Sequence, residues 1–103
     1  MKHHNKLVRD NIPQIIRANG ETPISHRIDD DTDYLNALLD KDAEESAELA
    51  ADPSIEELAD KLEVLYAIAK HLGYSPQDIE AARAKKAVER GSFDGRIFLE
   101  STD

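Results

Sequence analysis

SIEELADKLEVLYAIAKHL, residues 54–72, is the stretch from which the fold is read. Ile55, Leu58, Leu62, Leu65 and Ala69 recur at spacings of three and four. At 3.6 residues per turn such positions return to one face, so the stretch predicts an amphipathic α-helix with a regular apolar stripe. Ser54 followed three residues later by Glu57 reads as a capping box, in which two side chains satisfy backbone N–H groups of the first turn. Gly73 supplies the stop. The helix is expected from Ile55 to about Leu72.

Working outward, Asp52-Pro53-Ser54 breaks the chain before this helix. Further upstream, Asp29-Asp30-Asp31-Thr32-Asp33 marks a helix start, because carboxylates complement the positive end of the helix dipole. That helix is expected from about Thr32 to Ala51, with Leu35, Leu38, Leu39 and Leu49 as its apolar positions. Downstream, Ser75-Pro76 and Asp78 open a helix that carries Ile79, Ala82, Ala87 and Val88 and ends at Arg90-Gly91. Near the start, Ile12, Ile15 and Ile16 with Pro13 in the first turn predict a short helix over about Asn11–Asn19, capped by Asp10 or Asn11 and stopped by Gly20. Residues 22–28 alternate weakly between apolar and polar, and Arg96–Glu100 follows the turn pair Asp94-Gly95. These read as two short strands able to pair the terminal regions. The expected architecture is an all-α, four-helix bundle with a short two-strand pairing, forming a single domain over residues 1–103.

Composition narrows the function. The net charge of −9 repels nucleic-acid backbones and anionic membranes. A small phosphorylated ligand stays open, because a bound cation inverts the local charge. Cysteine is absent, which removes disulfides and thiolate metal sites and agrees with a reducing cytoplasm. No apolar run approaches the roughly 20 residues of a membrane span, and MKHHNKLVRD lacks the apolar core of a secretory signal. The chain reads as soluble and cytoplasmic. A chain of 103 residues buries only roughly 60–70% of its unfolded surface, so association with further copies is expected.

The acidic residues are patterned. Glu45/Glu48 and Glu44/Glu48 on one helix, and Glu57/Asp60, Glu56/Asp60 and Asp60/Glu63 on the next, stand at i,i+3 or i,i+4. Like charges at this spacing destabilise an isolated helix by a few tenths of a kcal/mol per pair. No lysine stands at i+4 of Glu45 or Glu48 to offset this. The second group borders the apolar stripe, where unpaired carboxylates are costly. A hard divalent cation with oxygen ligands resolves the conflict, and antiparallel helices joined by a short break would bring the two groups face to face. The competing reading is two solvated Glu-rich faces, since Glu is a good helix former.

Several motifs together resemble one family. Lys6-Leu7-Val8-Arg9-Asp10-Asn11-Ile12-Pro13-Gln14-Ile15-Ile16 resembles the KLVRDKIPEII opening of phosphoribosyl-ATP pyrophosphohydrolase-like proteins, within the all-α nucleoside triphosphate pyrophosphohydrolase (MazG-like) superfamily. Glu44-Glu45-Ser46-Ala47-Glu48-Leu49 is similar to that family's EExxEL helix, and Glu56-Glu57-Leu58-Ala59-Asp60-Lys61-Leu62-Glu63-Val64 to its EELADVLEV helix. Lys86, Arg90, Gly91 and Phe93 are similar to its closing K…RGxF element. The resemblance implies magnesium-dependent (or manganese-dependent) hydrolysis between the α and β phosphates of a nucleotide, yielding a monophosphate and pyrophosphate, in a homodimer or homotetramer. By position it implies Glu45, Glu48, Glu57 and Asp60 as metal ligands, with Glu44, Glu56 and Glu63 as supporting carboxylates and a general base among them. Two positions depart from the pattern: Asp42 stands where the family has leucine, and Lys61 where it has valine.

A triphosphate needs cations, and Lys6, Arg9, Lys86 and Arg90 are the candidates, arginine being suited to bidentate phosphate contacts. The competing readings are that Lys86 and Arg90 complement a helix C-terminus, and that Arg9 pairs with Asp10. The alternatives to an enzyme are a catalytically silent nucleotide-binding module and a helical dimerisation module.

Overall fold

The computed structural model describes residues 2–103. Four helices follow one another: α1 (Ile12–Ala18), α2 (Asp31–Ala51), α3 (Ile55–His71) and α4 (Pro76–Arg90). The protein is all-helical, and no strand occurs among the described residues. None of these helices is long and apolar enough to cross a membrane.

Local chemistry sets the helix ends. The Asp30 carboxylate accepts from the Asp33 N–H at 2.9 Å and opens α2. Ser75 and Asp78 form a reciprocal capping box at α4, with bonds of 3.1 and 2.8 Å. At α3 only half of the expected box forms. Ser54 Oγ accepts from the Glu57 N–H at 3.3 Å, but the Glu57 side chain does not return to the cap. Gly73, at φ +91°, ends α3 in a left-handed turn that glycine adopts without penalty. There the Tyr74 N–H donates to the Ala69 carbonyl at 2.8 Å and the Gly73 N–H to that of Lys70 at 3.1 Å, the pattern that satisfies orphan carbonyls at a helix C-terminus.

α2 and α3 form the main packing unit, an antiparallel hairpin across the Asp52–Ser54 break, and α4 touches α3 more lightly. The interior of the hairpin is thin. Leu38, Val64 and Ala69 are its buried apolar side chains, and Glu45 is buried with them. Of the stripe that identifies α3 in the sequence, Ala69 alone enters this interior. Ile55, Leu58, Leu62 and Leu65 are 39–73% exposed, while Glu57, Asp60 and Val64 lie on the less exposed side. The facing side of α2 carries Lys41, Asp42 and Glu45, which match the polar side of α3.

The expected strand pairing does not form. Residues 22–28 and 96–100 are irregular, with Ile24, Ile97, Phe98 and Leu99 at least 75% exposed. Arg96 has φ +55°, which breaks an extended run at its first residue. An isolated two-stranded pair is marginal in water in any case.

Candidate metal centre

The half-made cap of α3 has a consequence at its first turns. Carboxylate oxygens of Glu45 on α2 and of Glu57 and Asp60 on α3 all lie within 4.8 Å of one another. Glu45 is only 6% exposed. One oxygen of Glu45 and one of Glu57, Oε2 in each case, are buried without a hydrogen-bond partner among the described residues. Buried orphan carboxylate oxygens are costly, and such a donor set fits a hard divalent cation. Loss of solvation, and then the Glu48 charge, push the Glu45 carboxyl above the usual carboxylate range. The Glu57 carboxyl is raised by the same two causes in the same order, followed by Asp60 and Glu45. Glu48 itself is exposed and sits beside the trio.

Cationic side chains border these acids. Lys6 Nζ lies 2.8 Å from Glu44 Oε1, and Lys41 Nζ lies 3.2 Å from Glu44 Oε2 and 3.5 Å from Glu45 Oε1. Arg9 Nη2 reaches Asp60 Oδ1 at 2.7 Å, instead of pairing with its neighbour Asp10. The hydrogen bond from Lys6 holds the Glu44 carboxyl below its ordinary value, and the same bond raises the Lys6 ammonium. Glu44 is therefore a paired anion and a poor proton acceptor near neutral pH. Lys41 escapes a reading based on motifs, although its i,i+3 and i,i+4 relation to Glu44 and Glu45 is the signal that finds it.

The sequence-derived set thus divides. Glu45, Glu57 and Asp60 come together, with Glu48, Glu44, Lys6 and Arg9 around them. Glu56 and Glu63 are exposed and form no ion pair among the described residues. Lys86 lines a separate groove of about 870 Å³ with Tyr74, Ile79 and Arg83, and neither it nor Arg90 pairs with an acid among the described residues. His71 packs edge-on against Tyr34, with ring centroids 5.2 Å apart.

Asp42 on α2 and Lys61 on α3 are bonded to each other. Lys61 Nζ donates to Asp42 Oδ1 at 2.7 Å and to Ser46 Oγ at 2.8 Å, although Glu57 stands one turn away on its own helix. Lys61→Val alone leaves Asp42 half-buried without its partner and is expected to cost about 1 kcal/mol. The double change Asp42→Leu with Lys61→Val is expected to restore wild-type stability or exceed it. A double-mutant cycle by urea denaturation checks this, and strictly additive single effects would refute the coupling.

No protein-family model matches the chain, and no solved structure matches it. An uncharacterized protein of Mycolicibacterium smegmatis is 52% identical over 46 residues. The match takes in 45% of this chain and 46% of that protein, so the aligned region spans about half the length of the relative. The relative's description names no activity, and the chemistry of this site rests on its own side chains.

Proposed function

We propose that the chain is a magnesium-dependent nucleotide pyrophosphohydrolase of the MazG-like, all-α type, cleaving the α–β phosphate bond of a nucleoside triphosphate or related nucleotide. The observation that carries this reading is the trio Glu45, Glu57 and Asp60, with two buried carboxylate oxygens lacking partners. Together with Glu48, these residues would hold the cation. A bound magnesium (or manganese) ion would supply Lewis-acid polarisation of a phosphoryl oxygen and a more acidic water. Lys6 and Arg9 carry the charge that a phosphate chain needs. Both are held at the rim by Glu44 and Asp60, so a phosphate can exchange for these carboxylates at exposed positions. Loss of solvation and the neighbouring carboxylates raise the Glu57 carboxyl in the cation-free site, and a bound cation would hold it ionised as a ligand.

Pyrophosphate release from a panel of nucleoside triphosphates with magnesium tests the reading. Turnover of at least one substrate, lost in Asp60→Asn, is the expected result. Absence of turnover across the panel overturns it. One observation favours a second reading, a silent nucleotide-binding module. The Arg9 guanidinium already occupies Asp60, one of the three cation-facing acids. Magnesium-dependent nucleotide binding without product would identify that case.

A further inference from the structure

Two cations reach the acidic helices from the segment ahead of α1. Residues 2–9 are irregular, yet Lys6 bonds Glu44 on α2 and Arg9 bonds Asp60 on α3, at 2.8 and 2.7 Å. Among the described residues, α1 itself packs closely against no other helix. The two ion pairs, with half-buried Leu7 and Val8 between them, therefore hook the N-terminal segment across the hairpin. The hooks differ in what they hold. Glu44 lies outside the carboxylate trio and is shared with Lys41. Asp60 belongs to the trio, within 4.8 Å of the Glu45 and Glu57 oxygens. Arg9 thus supplies part of the positive charge that these acids need, and it does so weakly. One nitrogen makes one hydrogen bond, without the bidentate fork of the strong arginine–carboxylate pairs. The two side chains are 55% and 42% exposed, and ion pairs so exposed contribute little net stability. A divalent cation meets a stronger donor set. Oε2 of Glu45 and of Glu57 has no other partner among the described residues, and Glu45 is only 6% exposed.

We propose that Arg9 is a tethered counter-ion that exchanges with the divalent cation at Asp60, so that loading the site unhooks the N-terminal segment at Arg9. The inference rests on the cation site of the proposed function and not on hydrolysis. Lys6 keeps its bond to Glu44, outside the trio, so the segment stays attached at one point while Arg9 comes free. The exchange also orders the ligands. With Asp60 uncontested, Arg9 is bonded and a phosphate must compete with a carboxylate for it. With the cation in place, the guanidinium is released next to the site where a phosphate would sit. Linkage makes the coupling reciprocal: the cation displaces Arg9, and Arg9 weakens the cation by the same factor.

Manganese titration of the full chain, followed by electron paramagnetic resonance, measures cation affinity without turnover. Arg9→Gln is expected to bind manganese roughly threefold to fivefold more tightly than the wild type, the span that an exposed ion pair allows. Arg17→Gln removes the same charge from an exposed position on α1 and is expected to leave the affinity unchanged. Spin labels read the hook itself. The chain has no native cysteine, and Asn11 is exposed and makes no side-chain cap bond, so Asn11→Cys and Ala50→Cys place one label beside Arg9 and one on α2. Magnesium is expected to broaden the distance distribution between them towards the one that Arg9→Gln shows without magnesium. Equal manganese affinity in wild type and Arg9→Gln, a matching gain in Arg17→Gln, or a distribution that stays narrow in a protein that binds the cation would each overturn the exchange and leave the cation site standing. Absence of manganese binding in wild type and Arg9→Gln alike would remove both. Absence of turnover with the exchange intact would fall on the enzymatic reading alone.

Discussion

Replacing Glu45 by glutamine is expected to remove the stabilisation that magnesium or manganese gives the folded protein, with a loss of roughly 100-fold or more in cation affinity. The carboxylate is the most enclosed member of the trio, and one of its oxygens has no other partner. At a cation concentration about 100 times Kd, linkage gives the wild type about 2.7 kcal/mol, an upward Tm shift of about 10 °C or more for a chain of this size. Glu45→Gln is expected to show no such shift. Without cation, the substitution is expected to leave Tm unchanged or raise it by a few degrees, because it removes a buried charge that neighbouring acids repel. The pH dependence has a definite sign. Glu45 and Glu57 have folded-state pKa values raised above their unfolded values. Their ionised forms therefore penalise the cation-free fold above the folded pKa, and the penalty is relieved as pH falls through it. Protons compete with the cation for the same oxygens, so the cation-induced shift fades as pH falls, beginning above the ordinary carboxylate value of about 4.3. Glu44 acts in the opposite sense. Its pKa is lowered by Lys6, so its contribution stands above the unfolded value and is lost as pH falls through the folded one. Thermal melts with and without magnesium across pH 4–8 read all of these effects. A cation shift retained in Glu45→Gln would remove this carboxylate from the site.

Leu38→Ala is expected to cost about 3 kcal/mol, within the roughly 2–5 kcal/mol seen when a buried leucine is truncated and its cavity persists. Leu38 is 2% exposed, and only Val64 and Ala69 join it as buried apolar side chains among the described residues. A domain of this length holds about 5–15 kcal/mol in total, so the loss is a large share and lowers Tm by more than about 10 °C. Leu39→Ala, one residue along the same helix at 50% exposure, is expected to cost less than about 1 kcal/mol. Urea denaturation compares the two, and equal costs would contradict the thin interior described for the α2–α3 hairpin.

The helix ends were legible because their determinants are local. Asp30, Ser54 and Ser75 cap within three residues of themselves, and Pro76 and Gly73 act through their own backbone geometry. The pairing of Glu45 with Glu57 and Asp60 was foreshadowed by carboxylates spaced to share helix faces. Three features were not legible. The outward turn of Ile55, Leu58, Leu62 and Leu65 depends on what α2 offers in return, and α2 offers Lys41, Asp42 and Glu45. The partner of Lys61 could have been Glu57 by helical spacing, yet the facing helix brings Asp42 to 2.7 Å. Lys6 and Arg9 read as candidate phosphate contacts, but only the course of the first ten residues places them on Glu44 and Asp60. Sequence alone therefore determined that this chain is four helices carrying two acidic faces, because periodicity and capping are short-range. Tertiary structure alone decided which acids of those faces converge and that most of the apolar stripe turns outward, because a helix orients against its neighbour's surface and not against its own pattern.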